Sequence, residues 1–333
     1  MIAIVTGGAG FIGSELVKSL LFGGLNHIYI FDSLTYASQP ENLPLENTRV
    51  TLMRVDIANK NEMKDAWSVI RSAFEDDEIL VYNLAAESHV DRSIQSGELF
   101  FRTNVLGTQL LLEYASRYGV KRFLHVSTDE VYGSLEVGEA YEDFPLKPSS
   151  AYSASKAASD LAVIAHHITH GLDTVITRCV NNFGLNQFPE KLLPRIINRC
   201  LRGESLPIYG DGKNVREWIH VSDHTNALTE IMMKGVRGSI YNIGTGDRLS
   251  NLELANAVID LSNSNSSVEF VEDRKGHDSR YAVNSARLRT ELNWVPQKSL
   301  LSELDAYISH IKTRMQDPRA IELQRQAEIF YGK

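Results

Sequence analysis

An α/β fold built on a doubly wound parallel sheet, with a smaller mixed α/β lobe at the carboxyl end, is predicted by three observations. Short, nearly continuous apolar runs alternate with stretches of helical period through the first half of the 333 residues. A glycine-rich turn follows the first of those runs. From about residue 180 the alternation gives way to short runs mixed irregularly with helices.

The runs "IAIVT" (2–6), "HIYIF" (27–31), "VTLMRV" (50–55), "ILVYNLA" (79–85), "RFLHV" (122–126) and "DTVITR" (173–178) read as strands. Between most of them lie helical stretches, among them 11–21, 98–119 and 153–168. Strands apolar along their whole length belong to a parallel sheet covered on both faces, and ligands bind outside its carboxyl edge. In the second half, "PEKLLPRIINRCLRG" (189–203) is a helix with prolines near its start and a glycine at its end. The strands "LPIY", "IYNIG" and "VEFV" follow. The expected division is a Rossmann-type dinucleotide domain over 1–180 and a second lobe over 181–333 that closes the cleft. That boundary is soft, since "DTVITR" belongs to the main sheet and "IYNIG" is placed to return to it.

A formal charge of −8 and a pI near 5.7 argue against nucleic acid or an anionic membrane as the main partner. No apolar run reaches the roughly 18 residues that a membrane span needs. The first residues lack the basic segment of a signal peptide and read as a strand. Cys179 and Cys200 have no metal-like spacing and are expected as buried free thiols of a cytoplasmic protein. "AHHITH" (165–170) reads as a helix face rather than a metal site, and no metal is expected.

"TGGAGFIG" places Gly8, Gly10 and Gly13 as GxGxxG, and Gly7, Gly10 and Gly13 as GxxGxxG, between a strand and a helix. Glycines permit the tight turn and let N–H groups, including those around Phe11 and Ile12, approach a pyrophosphate. Asp32, 19 residues beyond Gly13, ends the second strand, where it can accept from ribose hydroxyls and repel a 2′-phosphate. The cofactor expected is NAD. Asp56, after the third strand, either contacts the adenine or caps the helix that follows.

"YSASK" sets Tyr152 and Lys156 four apart at a helix start, on one face. A cationic lysine lowers the pKa of a neighbouring phenol and makes tyrosinate available as a base. "STDEVYG" (127–133) brings Asp129 and Glu130 together where a strand ends. With "TGGAGFIGS", "NLAAESHVDRS" (83–93) and "TNVLGT" (103–108), these motifs resemble the extended short-chain dehydrogenase/reductases. The resemblance implies cofactor contacts at Ala85, Tyr152 and Lys156 and a substrate-orienting hydroxyl at Thr128. It also implies a nucleotide-diphosphate sugar in the second lobe.

The adjacent Thr-Asp-Glu is similar to that of the nucleotide-hexose 4,6-dehydratases, the dTDP-glucose enzymes in particular. So are "DSLTYA" (32–37), "PEKLLP" (189–194), "GDGKNVREWIHVSDH" (210–224) and "GHDSRYAV" (276–283). The chemistry accounts for the residues. Tyr152 takes the 4-hydroxyl proton as C4 is oxidised, Glu130 removes the acidified C5 proton, and Asp129 protonates the leaving 6-hydroxyl. Neighbouring carboxylates resist double ionisation, so one can hold a proton. Consecutive strand residues point to opposite faces, so the backbone must leave β geometry if both are to reach the sugar. The plainer reading has one carboxylate catalytic and the other structural.

The resemblance further implies substrate contacts at Ser88, Asn181, Glu190, Lys191 and Asn251, and diphosphate-binding arginines at Arg216 and Arg280. Tyr209 is a candidate to stack on the base, and Asn104 to support the active-site backbone. Val180 and Phe183 stand where serine and tyrosine are usual, and the last 26 residues lack a customary tryptophan-rich stretch. Both departures leave the base open between dTDP and UDP. An epimerase that keeps the 4-keto step without losing water is the first alternative; a non-catalytic NAD-binding protein is the second. A homodimer through helices near 98–119 and 152–170 is implied by the resemblance, although their apolar density also suits burial within one chain.

Overall fold

The computed structural model describes residues 1–331. The strands are β1 (Ile2–Thr6), β2 (His27–Asp32), β3 (Val50–Arg54), β4 (Ile79–Asn83), β5 (Arg122–Thr128), β6 (Thr174–Cys179), β7 (Asn181–Phe183), β8 (Leu206–Tyr209), β9 (Val215–His220), β10 (Ile240–Ile243), β11 (Arg248–Ser250) and β12 (Val268–Val271). The helices before residue 180 are α1 (Phe11–Leu20), α2 (Lys60–Ala73), α3 (Val90–Gln95), α4 (Glu98–Phe100), α5 (Thr108–Arg117) and α6 (Ala151–His170). Those after it are α7 (Leu192–Arg202), α8 (Val221–Lys234), α9 (Asn251–Ser262), α10 (Ala286–Leu292), α11 (Leu300–Arg314) and α12 (Pro318–Tyr331).

Seven of the described strands form one parallel sheet in the order β10-β6-β5-β4-β1-β2-β3. Strand order reverses between β1 and β4, and the crevice of a doubly wound sheet opens at that point. Alternation along β1 supplies both faces. Ile2 and Ile4 join Trp67, Ile70, Leu111 and Val163 beneath α2, α5 and α6. Ala3 and Val5 join Leu16, Leu20, Leu228 and Ile231 beneath α1 and α8.

"IYNIG" returns to the main sheet as β10, beside β6. α8 also belongs to this layer, packed on α1, although the residue-180 division put it in the second lobe. The second lobe has its own core around α7, α9 and α11. On α7, Leu193, Ile196, Ile197 and Cys200 recur at helical spacing and are all buried. Each large aliphatic among them contributes about 1.5–3 kcal/mol by leaving water. Gly203, at φ +68°, ends the helix in the left-handed conformation.

Candidate active site

Beneath the carboxyl edge of the main sheet lies a cleft of about 560 Å³, lined by Gly7, Gly10, Phe11, Ile12, Gly13, Asp32, Asp56 and Ala85 at one end. Its floor is tied across the switch point by Thr6. The Thr6 hydroxyl donates to Asn83 Oδ1 at 2.7 Å and accepts from the N–H groups of Leu84 and Ala85, both at 3.1 Å. Gly7 has φ +66°, and a Cβ there would stand 2.8 Å from Ala85 Cα. A Cβ on Gly13 would lie 2.2 Å from the Gly7 carbonyl oxygen. α1 starts behind Gly10, which has no side chain to cap it.

Asp32 is buried and accepts from Ala9 N–H (3.0 Å), Leu34 N–H (2.8 Å) and the Ser38 hydroxyl (2.7 Å). Asp56 accepts from Ala58 N–H and pairs with Arg102 at 2.6 Å. The cap of α2 is Asn59, not Asp56, which leaves Asp56 on the cleft wall.

At the other end of the cleft, β5 stops at Thr128 and the chain enters a 3₁₀ turn over Asp129–Tyr132. The Thr128 hydroxyl accepts from Glu130 N–H at 3.3 Å and donates to Asp129 Oδ1 at 3.2 Å. This turn is the departure from β geometry that two neighbouring carboxylates require, and both line the cleft. Facing them, Ser150 and Ser153 cap the start of α6, with Tyr152 in its first turn and Lys156 one turn on. Lys156 Nζ donates to the Val126 carbonyl at 2.6 Å. A π-helical stretch, Phe101–Gly107, presents Asn104 to Glu87 N–H (2.9 Å), Glu87 C=O (3.0 Å) and the Ser155 hydroxyl (2.8 Å), the backbone support expected of it.

Charge separates the two carboxylates. Burial pushes Asp129 well above the usual range, and Glu130 and Glu217 push it further. Its Oδ2 has no hydrogen-bond partner among the described residues. Burial also raises Glu130, but Arg274, Arg216 and Lys191 oppose the rise. Lys156 is lowered to about 8 by burial, with Asp160 opposing. Burial, and then the Glu130 charge, raise the Tyr152 phenol, while the Thr128 hydroxyl pulls it down. The Lys156 ammonium, one turn along α6, donates to the Val126 carbonyl rather than to the phenol.

Ser88, Asn181, Glu190, Lys191, Tyr209, Arg216 and Asn251 line the same cleft. Glu190 accepts from Arg92 Nε and Nη2 (3.1 and 3.0 Å) and from Tyr36 Oη (3.0 Å). Lys191 donates to Ser88 C=O at 2.8 Å. Arg216 is buried over the Tyr281 ring, 4.4 Å from its centroid. Arg280 does not join them. It lies outside the cleft lining, and its guanidinium donates to the Gly138 carbonyl at 2.7 Å. Arg274, six residues earlier, does line the cleft and is held by Asp91 at 3.1 Å. Sequence reasoning missed Arg274, and also Arg195, His277 and Tyr331, which line the same end. Nothing in the spacing of "DRKGHDSR" separates its two arginines; only the fold does.

The family model described as GDP-mannose 4,6 dehydratase matches residues 4–305. A dTDP-glucose 4,6-dehydratase of Streptomyces griseus is 49% identical over 312 residues, 92% of each chain. The low-salt glycan biosynthesis protein Agl12 of Haloferax volcanii is 45% identical over 93% of this chain and 98% of its own. The crystal structure of DesIV, a dTDP-glucose 4,6-dehydratase of Streptomyces venezuelae with NAD and TYD bound, superposes with a TM-score of 0.88 at 43% identity, over 96% of this chain and 100% of that one. UDP-glucose 4-epimerase of Thermus thermophilus, in complex with NAD, gives 0.86 at 30% identity over 94% and 99%. The overall shape therefore does not separate the two chemistries, whereas the sequence match over nearly the whole chain places it: the chain belongs to the GDP-mannose 4,6-dehydratase family, within the extended short-chain dehydrogenase/reductases.

Proposed function

We propose that this protein is a lyase, an NAD-dependent nucleotide-hexose 4,6-dehydratase that converts dTDP-glucose, or a UDP-hexose in its place, to the 4-keto-6-deoxy sugar with loss of one water. The observation that carries the reading is the pair Asp129 and Glu130 on one turn beside Tyr152, with different charges around each.

NAD fits the chain because the glycine turn is packed so closely that a Cβ on Gly13 would strike backbone. The uncapped start of α1 also leaves N–H groups for an outside anion. Gly7, Gly10, Phe11, Ile12 and Gly13 would hold the pyrophosphate, Asp32 the adenosine ribose, Asp56 and Ala85 the walls, and Tyr152 and Lys156 the reacting end. When bound, NAD supplies the two-electron oxidation at C4 and its reversal at C6, and its cationic ring favours the tyrosinate.

Tyr152 removes the 4-hydroxyl proton, with Thr128 hydrogen-bonding the same oxygen. The 4-ketone acidifies C5–H. Glu130, kept the more acidic of the pair by Arg274, Arg216 and Lys191, takes that proton. Asp129, held protonated by its surroundings, gives its own proton to the departing 6-hydroxyl, so that water leaves, and Glu130 returns its proton to C5 as C6 is reduced. Arg216 and Arg274 grip the diphosphate, because planar guanidinium donors match its oxygens. Tyr209 stacks on the base. Ser88, Asn181, Glu190, Lys191 and Asn251 complete the sugar site.

A cytoplasmic homodimer accompanies this reading. Support for it comes from two buried free thiols and from Phe101, Leu106, Leu161 and Ile168, which leave apolar surface exposed along the two helical segments expected to pair. The test of function is mass spectrometry after incubation with dTDP-glucose, UDP-glucose and UDP-N-acetylglucosamine in turn. Loss of one water from any of them supports the dehydratase and identifies the nucleotide; an unchanged mass with a new stereoisomer replaces it with the epimerase.

A further inference from the structure

In the proposed reaction, on which this inference rests, Lys156 stands with Tyr152 at the reacting end of the cleft, where a positive charge favours the tyrosinate. That charge sits in an unfavourable place. Lys156 is 3% exposed, and among the described residues its ammonium meets one hydrogen-bond acceptor, the Val126 carbonyl, and no carboxylate within 4.0 Å. A buried ammonium with so little compensation tends to give up its proton.

One turn further along the same face of α6 lies Asp160, which is fully buried. Its Oδ2 accepts from Arg178 Nε at 2.9 Å, across on β6. Its Oδ1 lies 3.7 Å from His125 Nε2 on β5, and the nearby Ser127 hydroxyl also favours the charged carboxylate. Arg178 is fixed in turn by the Tyr132 hydroxyl (2.9 Å) and the Glu142 carbonyl (3.1 Å). Arginine–carboxylate pairs are frequently bidentate. Here Arg178 Nε grips one oxygen, and the carboxylate stays a source of negative potential in a dry interior.

The elements packed against α6 include β5, β6 and the turn after β5. Tyr152 stands on α6, and the neutral His125 on β5. Arg178 and Cys179 stand on β6, and Asp129, Glu130 and Tyr132 on the turn after β5. Burial, Lys156 and Arg178 all keep His125 uncharged, so it cannot compete for Asp160 as a cation. Among these neighbours, Asp160 is the one whose charge holds the Lys156 proton in place.

We propose that Asp160 is a positioning residue for the reaction: a fixed negative charge, gripped by Arg178 from the neighbouring strand, that keeps Lys156 charged at the floor of the cleft. It touches no reacting atom and acts through Lys156. Burial raises the Asp160 carboxyl, and Arg178, with the Ser127 hydroxyl and Lys156, opposes that rise; the grip also holds the carboxylate one turn beyond Lys156.

The test compares the pH dependence of kcat for water loss in wild type, Asp160→Asn and the double variant Asp160→Asn/Arg178→Gln, all supplied with NAD and dTDP-glucose. Asp160→Asn leaves Arg178 buried without its partner and is open to misfolding. The double variant removes the buried arginine together with its partner, so it carries the result if the single one does not fold. In Asp160→Asn the alkaline limb moves to lower pH by about one unit, which costs roughly tenfold in kcat at pH 8 relative to pH 6.5; in the double variant it moves the same way by a smaller step, because the Arg178 cation has gone with the carboxylate. A limb that stays at the wild-type pH, with kcat lowered evenly across the range, makes Asp160 a structural residue and overturns the proposal. A wild-type enzyme that releases no water sinks the reaction itself, whereas an active wild type with unmoved limbs in the variants sinks only the role given to Asp160.

Discussion

Asp129 and Glu130 follow one another in the chain, yet the charges of Glu130 and Glu217 push Asp129 further up, against a smaller pull from Arg216, while Arg274, Arg216 and Lys191 hold Glu130 down. Two identical functional groups are thereby pushed toward opposite roles, acid and base. Asp129→Asn keeps the shape and removes the transferable proton. It is predicted to slow water loss by roughly 100- to 10,000-fold while leaving oxidation at C4 intact. Reduced cofactor should then accumulate in a single turnover, visible by its absorbance. Glu130→Gln should block one step earlier, so that deuterium from solvent no longer enters C5. An enzyme that tolerates both changes is not using these carboxylates, and the epimerase reading would replace the present one.

Arg274 and Arg280 lie six residues apart, and the fold turns only Arg274 into the cleft. Arg274→Met should raise KM for the nucleotide sugar by about 10- to 100-fold, the worth of a charge-assisted pair of hydrogen bonds to phosphate, with kcat less affected. Arg280→Met removes donors to backbone carbonyls at the surface and should leave KM unchanged. Equal effects on KM from the two variants would mean that the diphosphate lies elsewhere.

The contrast between these arginines marks how far the sequence can be read. Gly7, Gly10 and Gly13, or Tyr152 and Lys156, act within one turn of backbone, so their spacing already fixes their geometry. The strand runs were legible because β1, buried on both faces, must be apolar throughout. Arg274 was not legible, since its direction depends on Asp91, 183 residues away. Nor was the Lys156 ammonium turned to Val126, a contact across two packed elements. Nor was the packing of α8 on α1 legible, because an amphipathic helix records that it has a buried face, but not which sheet covers it.

His224 links acid to stability. It is buried against Asn182, and burial lowers its pKa from 6.5 to about 3. The unfolded chain therefore takes up a proton below pH 6.5 that the folded chain refuses until about pH 3, so stability falls as pH drops through that window. Between pH 8 and pH 5 its share is about 2 kcal/mol, at about 1.4 kcal/mol per unit below the unfolded pKa. Urea unfolding at the two pH values should lose about that much less in His224→Gln than in wild type. An equal loss in both would place the acid sensitivity on other groups.

Gly13 tests whether the close packing of the cradle serves the cofactor. A Cβ there would lie 2.2 Å from the Gly7 oxygen and 2.7 Å from Gly8 Cα, both backbone atoms that cannot step aside as a side-chain tip can. Gly13→Ala must therefore open the turn and displace the N–H groups at the start of α1 from the pyrophosphate. NAD affinity should fall at least about tenfold, the loss of one good hydrogen bond to a charged group. Gly24→Ala is the control for conformational strain alone: φ is +74° there, but nothing stands within 4 Å of the added methyl, and the residue lies outside the cleft lining. It should lower the melting temperature and leave NAD affinity as it was. If both variants lose stability and neither loses affinity, as read by titration of the purified protein with NAD, the turn is a packing device and the pyrophosphate is held elsewhere.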